Sequence, residues 1–306
     1  MIGTGGWAYF GIPGLHPLVA YSKAFGFVEA NSTFYQIPSL KQVEKWRRIV
    51  PQDFQFAVRA HKMMTHKHRL QPTQEVLEVL RKLERICRIL RAEVIHVQTP
   101  SSLKIEELSN ENIRDIMSLL NFGKTRIAFE MKGSSASQLP SELVEIMKEY
   151  GIVHCVDLSK GELPAYDSDV LYSRLFGKGY HNVYQPTDEE LREIDGKTSR
   201  RNSKKVMLSF HFVKMYKDAA RLKMYKQTGK FPMITKSTGL ASLEHILRED
   251  IEFPINKTKL IQRQGWKIFD LTSEKRVHAW EYLQELPEKT YKSFDDVKQM
   301  LRKSLK

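Results

Sequence analysis

Eight short apolar runs alternate along this chain with segments of helical periodicity, and that alternation limits the fold more than any other feature. The runs fall at 1–5, 25–29, 55–59, 94–98, 126–130, 153–157, 170–175 and 206–210 and read as strands. Between two of them, Val76, Leu77, Leu80, Leu83, Ile86, Cys87 and Leu90 recur at helical spacing with Glu and Arg on the opposite face. Further helices are expected over 111–120 and 140–149, the second with Ser141 placed to cap it. Alternating β and α units imply a parallel sheet with crossover connections. An open doubly wound sheet usually stops nearer five or six strands, whereas eight units suit a closed barrel. No Gly-x-Gly-x-x-Gly opens a helix after the first strand, so a dinucleotide fold has little support.

The expected architecture is therefore α/β: a TIM-like (β/α)8 barrel over 1–230, followed by a small α-helical appendage over 231–306. In that appendage Phe231-Pro232, Gly239, Phe253-Pro254 and Leu286-Pro287 punctuate helices expected at 242–248, 256–263, 273–283 and 293–301. Trp266, Ile268, Val277, Trp280, Leu283 and Val297 are its core candidates. With 28% charged and 41% hydrophobic residues, the composition is that of a soluble globular protein. No run approaches the roughly 18 apolar residues of a spanning helix. The first residues lack a basic segment followed by an apolar one, so a cytoplasmic location is expected, without secretion and without a membrane partner. Cys87 and Cys155 read as reduced core residues, and no cysteine spacing fits zinc.

The net charge of +13 is unevenly placed: from Lys197 to Lys230 there are eleven basic residues against Asp218 alone. Such a concentration attracts phosphates or acidic surfaces. Arg200, Arg201, Lys204, Lys205, Lys214, Lys217 and Arg221 are accordingly expected to bind DNA or RNA. The alternative is a solvated loop and helix face.

In a (β/α)8 barrel the working residues project from the carboxyl ends of the strands. Those ends offer Glu29, Asn31 and Tyr35, then Arg59 and His66, Gln98, Glu130, Asp157, Arg174 and His211. Glu29, Glu130 and Asp157 are the candidate catalytic carboxylates, able to divide general acid and base duties if their environments separate them. Arg59 and Arg174 are expected to hold an anionic group, since the guanidinium fork meets two oxygens at once. Asn31, Tyr35, His66, Gln98 and His211 complete the expected substrate contacts, and Trp7 is a candidate for stacking a base or sugar ring. The competing reading is an ion-pair network that only fixes the barrel.

The blocks Gly3-Thr4-Gly5-Gly6-Trp7-Ala8-Tyr9, Val28-Glu29-Ala30-Asn31-Ser32-Thr33-Phe34-Tyr35 and Phe54-Gln55-Phe56-Ala57-Val58-Arg59-Ala60 occur in order, with Trp46, Pro51 and Thr65-His66. They are followed by Gln98-Thr99-Pro100, Phe129-Glu130, Asp157, Tyr172-Ser173-Arg174-Leu175-Phe176-Gly177 and Tyr216-Lys217-Asp218-Ala219. In these blocks the chain resembles the YecE-like family, also called domain-of-unknown-function family 72, over about 1–226. The resemblance implies a TIM-type barrel without an agreed reaction, similar in outline to endonuclease IV and the sugar isomerases. This chain departs from the family pattern at Phe176 and at His211-Phe212. Segments 253–257, 286–287 and 291–294 look somewhat like another small uncharacterised helical domain. Endonuclease-type barrels gather histidines and carboxylates around zinc; no metal motif is present here, and the donors best placed for a divalent ion are His211, Glu130 and Asp157. The expected function is hydrolysis of a phosphate-bearing substrate such as nucleic acid or a nucleotide, by nuclease- or glycosidase-like acid/base chemistry. The alternatives are a non-catalytic nucleic-acid-binding protein and a sugar-phosphate enzyme.

Overall fold

The structure is a computed structural model and describes residues 1–132 and 138–302. The chain parts into two compact units, Met1–Leu175 with Lys197–His211, and Phe176–Gly196 with Phe212–Lys306.

The first unit carries eight strands: β1 (Ile2–Thr4), β2 (Phe27–Ala30), β3 (Gln55–Arg59), β4 (Val94–Gln98), β5 (Arg126–Glu130), β6 (Val153–His154), β7 (Val170–Leu175) and β8 (Lys205–Phe210). Every apolar run expected to be a strand is one. All pairings are parallel, and β1 joins both β2 and β8, which curls the sheet into a nearly closed barrel. The last seam, β6 against β7, is held by a single bridge between Val156 and Ser173. Ser173 Oγ reinforces it, donating to the Val156 carbonyl at 2.7 Å and accepting from the Leu158 N–H at 3.2 Å.

Side chains alternate across a strand, so inward positions recur every second residue. Phe27, Ala57, Val94, Ala128, Cys155, Tyr172 and Met207 belong to one buried cluster. Two residues further along stand Glu29, Arg59, His96, Glu130, Arg174 and Ser209 on the same strands, and Asp157 just past the end of β6. Apolar filling thus gives way to a charged layer toward the carboxyl ends. Helices α1 (Pro17–Ala24), α2 (Leu40–Arg48), α3 (Gln74–Leu90), α4 (Asn110–Leu119) and α5 (Ser141–Glu149) follow the first five strands. Ser39, Thr73 and Ser109 cap α2, α3 and α4 through their hydroxyls. For α5 the expected cap is corrected: Pro140, extended at ψ 140°, occupies the cap position, so Ser141 is already helical and no side chain caps the helix.

The second unit holds α7 (Met215–Thr228), α8 (Gly239–Leu247), α9 (Lys257–Gln264), α10 (Trp280–Leu283) and α11 (Phe294–Leu301), and its boundary crosses α6 (Asp188–Ser199). Two small antiparallel pairs complete it: β9 (Ile255–Asn256) with β12 (Thr290–Tyr291), and β10 (Ile268–Asp270) with β11 (Arg276–His278). The helix expected over 273–283 is therefore replaced by a strand and one short helical turn. Pairing of Val277 with Phe269 and of His278 with Ile268 outweighs the local helical pattern there. Leu243, Leu260, Phe269, Val277, Leu283 and Val297 share the core of this unit. Trp280, expected in that core, is 45% exposed because Leu283 takes the inward side of α10.

A buried ionic chain runs through the same unit. Arg221 donates to Asp188 at 2.6 Å and Asp218 at 3.1 Å, and Arg276 donates to Asp188 at 3.0 Å and Asp270 at 3.1 Å. Asp218 also accepts from the Gln185 amide at 3.2 Å, while its Oδ2 has no hydrogen-bond partner. Burial outweighs Arg221 here and raises the Asp218 pKa to about 6. A carboxyl protonated more readily in the fold than in the unfolded chain adds stability that is full below about pH 4 and is lost as pH rises through 6. Asp218→Asn, which keeps the neutral shape, is expected to raise the melting temperature at pH 8 by the equivalent of about 1–2 kcal/mol, and the gain is expected to vanish near pH 4 in thermal melts across that range.

Candidate functional site

At the carboxyl ends of the barrel strands the inward side chains meet around Arg174 of β7. Its Nε donates to Glu29 Oε2 at 3.0 Å and its Nη2 to Glu29 Oε1 at 3.2 Å, a two-pronged grip on β2. Its Nη1 reaches β5, donating to Glu130 Oε2 at 2.9 Å. Glu29 is completely buried and also accepts from the Tyr172 hydroxyl, with His211 Nε2 at 3.6 Å. His211 in turn lies 3.0 Å from the Ser209 hydroxyl. Glu130 accepts from the Gln98 amide at 2.6 Å and lies 2.8 Å from His96 Nε2. Because His96 Nδ1 is unpartnered, the proton of the neutral ring is assigned to Nε2, facing the carboxylate.

Burial alone would push both carboxyls toward neutrality. Arg174, aided by His211 at Glu29 and by His96 at Glu130, outweighs burial and holds both well below the usual carboxylate range. Burial and the same arginine lower His96 to about 4 and move His211 downward too. At neutral pH the centre consists of two carboxylates, one guanidinium and two neutral imidazoles. Gly5 of the loop after β1 makes room for this layer: a Cβ on it would stand 2.2 Å from His211 Cε1.

Arg59 lies beside this centre under different constraints. Its Nη1 donates to Asn31 Oδ1 at 2.8 Å and its Nη2 to Gln98 Oε1, and its guanidinium carbon sits 3.6 Å from the Phe34 ring centre. Thr33 holds its backbone, donating to the Arg59 carbonyl and accepting its N–H at 3.1 Å. Arg59 Nε has no partner, and no carboxylate among the described residues lies within ion-pair distance of this buried cation. Burial and then Arg174 lower its pKa. His66 packs edge-on against Phe34 at 5.2 Å, and its own pKa is lowered by burial, Arg59, Lys132 and Lys62. Neither Lys62 nor Lys132 is ion-paired among the described residues.

Of the residues singled out from the sequence, Glu29, Asn31, Arg59, Gln98, Glu130, Arg174 and His211 thus join one connected network. His66 and the 62% exposed Tyr35 flank Phe34 at its edge. Asp157 caps a 3₁₀ turn, accepting from the Ser159 N–H at 3.0 Å and from its hydroxyl. Trp7 lies edge-on to Trp46 of α2 at 5.2 Å. His96, Tyr172 and Ser209 were not anticipated; the two-residue register that places Glu130 and Arg174 inward also points to them. His96, Glu130 and Cys155 place ligand atoms within 4.8 Å of one another. Glu130 Oε2 already faces both His96 and Arg174, however, and a guanidinium at that oxygen disfavours a second cation.

The basic residues of 197–230 are distributed differently. In the first unit Arg201 pairs with Asp167 at 2.6 Å and Lys205 with Glu93 at 2.6 Å, while Arg200 and Lys204 are exposed and form no ion pair among the described residues. In the second unit Lys214 and Lys217 both address Glu249, at 2.6 and 3.8 Å, and Arg221 is buried in its ionic chain rather than turned to solvent.

Replacing one member of a buried pair leaves the other uncompensated. Glu29→Gln is expected to cost about 3–5 kcal/mol in denaturant unfolding, whatever its effect on ligands. His96 stays neutral in the fold, so the unfolded chain binds its proton first as pH falls, and stability declines from about pH 6.5 toward 4. His96→Gln is expected to flatten that part of the stability profile.

A family model described as a protein of unknown function, DUF72, matches residues 1–232. A DUF72 family protein from Thermotoga maritima superposes with a TM-score of 0.56 and 24% identity, covering 74% of this chain and 98% of its own. Another, from Enterococcus faecalis, gives 0.54 and 19%, over 69% of this chain and 93% of its own. The UPF0759 protein YunF of Bacillus subtilis is 42% identical over 52 residues, which span 17% of this chain and only 18% of that relative. Among the described residues no helix is long and apolar enough to cross a membrane.

Proposed function

The chain belongs to the DUF72 family of proteins of unknown function, and we propose that its barrel mouth binds a phosphate-bearing substrate and hydrolyses it, a nucleotide or nucleic-acid end being the favoured class. The observation that carries this reading is Arg59: a buried cation held by two neutral amide oxygens and an aromatic face, with one N–H unmet. A phosphate oxygen exchanging for an amide oxygen would turn an ion–dipole hydrogen bond into an ion pair that the two-pronged guanidinium can meet. Lys62 and Lys132, both without ion pairs among the described residues and both acting on His66, add to the attraction. The exposed ring of Tyr35 offers a face for a base or sugar.

Within this reading the two carboxylates have unequal roles. Glu29, sealed beneath Arg174, Tyr172 and His211, positions the arginine. Glu130, with 16% of its side chain exposed, is the carboxylate that can orient an attacking water. Its suppressed pKa keeps it an acceptor at neutral pH, and neutral His96 fixes its direction. Arg174 would offset charge developing on the phosphoryl group.

Calorimetric titration with inorganic phosphate and a panel of nucleoside monophosphates tests the pocket, and release of phosphate or nucleoside tests turnover. Arg59→Leu is expected to weaken binding at least tenfold, whereas Glu130→Gln is expected to retain binding and lose turnover by about 10²–10⁴-fold. Equal affinity in Arg59→Leu and the parent protein would remove the anion assignment.

A further inference from the structure

The unpaired positive charge of the first unit gathers on α2 and α3 rather than on the 197–230 segment. On α2, Lys41, Lys45 and Arg48 stand at i, i+4 and i+7, all exposed; on α3, Arg81, Arg85 and Arg88 repeat that spacing, also exposed, with Lys82 beside them. None of these seven forms an ion pair among the described residues. The two helices are neighbours, and Arg47 of α2 donates to the Leu90 carbonyl at the end of α3 at 3.4 Å. Beyond the carboxyl end of α3 lies a cleft of about 620 Å³ at the opposite end of the barrel from Arg174, lined in part by Arg88, Arg91, Asn121, Lys124, Glu84 and the Lys205–Glu93 ion pair. Arg91 and Lys124 are likewise without ion pairs among the described residues, and Arg91 stands close enough to Arg47 to lower its pKa in addition to the effect of burial.

Cations in a last helical turn are ordinarily explained by the helix dipole, which accounts for Lys45, Arg48 and Arg88. It does not account for Lys41, Arg81, Lys82 or Arg85, in earlier turns. Nor do the acidic residues of these helices neutralise them: Glu78 accepts from Gln74, Glu84 accepts from the Asn121 N–H, and Glu75 faces Lys67 and His68. Exposed Glu44 is the one carboxylate interleaved with the α2 row.

We infer that the α2–α3 face, continuing into the basal cleft, is a docking surface for the phosphodiester backbone of nucleic acid. Two parallel rows of cations suit a polymer with regularly repeated negative charge, read without regard to base sequence. An anionic membrane is the less fitting partner, because neither helix exposes a large apolar side chain to insert below the headgroups. The surface shares no residue with the mouth around Arg59.

The test is fluorescence anisotropy with a labelled 20-base-pair duplex and the corresponding single strand, repeated over a range of salt. The full chain is compared with an Arg81→Ala/Arg85→Ala/Arg88→Ala variant and with Arg200→Ala/Lys204→Ala, circular dichroism confirming that each folds. The α3 variant is expected to bind at least tenfold more weakly at low salt, with a log–log salt slope shallower by about 2–3, roughly 0.9 for each lost phosphate contact on duplex DNA. The α3 variant is expected to bind inorganic phosphate in calorimetry as the parent does, which separates this surface from the mouth. The inference is overturned if the α3 variant binds within twofold of the parent, if only Arg200→Ala/Lys204→Ala weakens binding, if neither oligonucleotide binds at low salt, or if phosphatidylserine vesicles bind in their place.

Discussion

The carboxyl end of this barrel is organised by one guanidinium. Arg174 spans from β7 to β2 through Glu29 and to β5 through Glu130, tying strands that are not neighbours in the sheet. A single such group placed in a buried layer would be costly; with two carboxylates in good geometry the layer is self-consistent. The rest follows from that arrangement. The carboxylates remain charged despite burial, and the histidines next to them stay neutral because they are buried and a fixed cation is already present. Arg59, one strand along from Glu29, is left with amides for partners.

That division separates structural charge from available charge. Where cation and anion are both buried and mutually satisfied, the electrostatic energy is spent in holding the fold. Where a cation is met only by neutral oxygens, the fold leaves an attraction that an incoming anion can use. The same distinction applies to the surface. Net charge counted along the sequence concentrates in 197–230, but several of those cations are matched in space, and exposed unmatched cations also line α2 and α3.

The barrel was legible in the sequence because it depends on local pattern: eight apolar runs at crossover spacing, with polar residues at their carboxyl ends. The converging residues were legible for the same reason, through the strand ends of Glu29, Arg59, Gln98, Glu130, Arg174 and His211. His96 and Tyr172 were hidden because each looks like core filling until the inward register is known. Pairing across the chain was the main thing out of reach. Arg201 finds Asp167 and Lys205 finds Glu93, partners 34 and 112 residues away, so a window of sequence overstates their free charge. Strand pairing misled in the same way at 273–283, where β10 supplies a partner that helical periodicity cannot register.

The β6–β7 seam gives the barrel a direction of weakness. Most neighbouring strands share several paired positions, whereas β1 and β2 share one, and β6 and β7 are joined by one bridge and one hydroxyl, immediately before Arg174 in the chain. Closure of the cylinder at this point relies on one backbone bridge together with a side-chain hydroxyl that binds the Val156 carbonyl and the Leu158 N–H. The barrel behaves less like a hoop than like a clasped band, with the clasp beside the residues that would meet a ligand. Substitutions at Ser173 would therefore be felt as changes in how tightly the mouth is drawn, without touching any group that contacts what enters it.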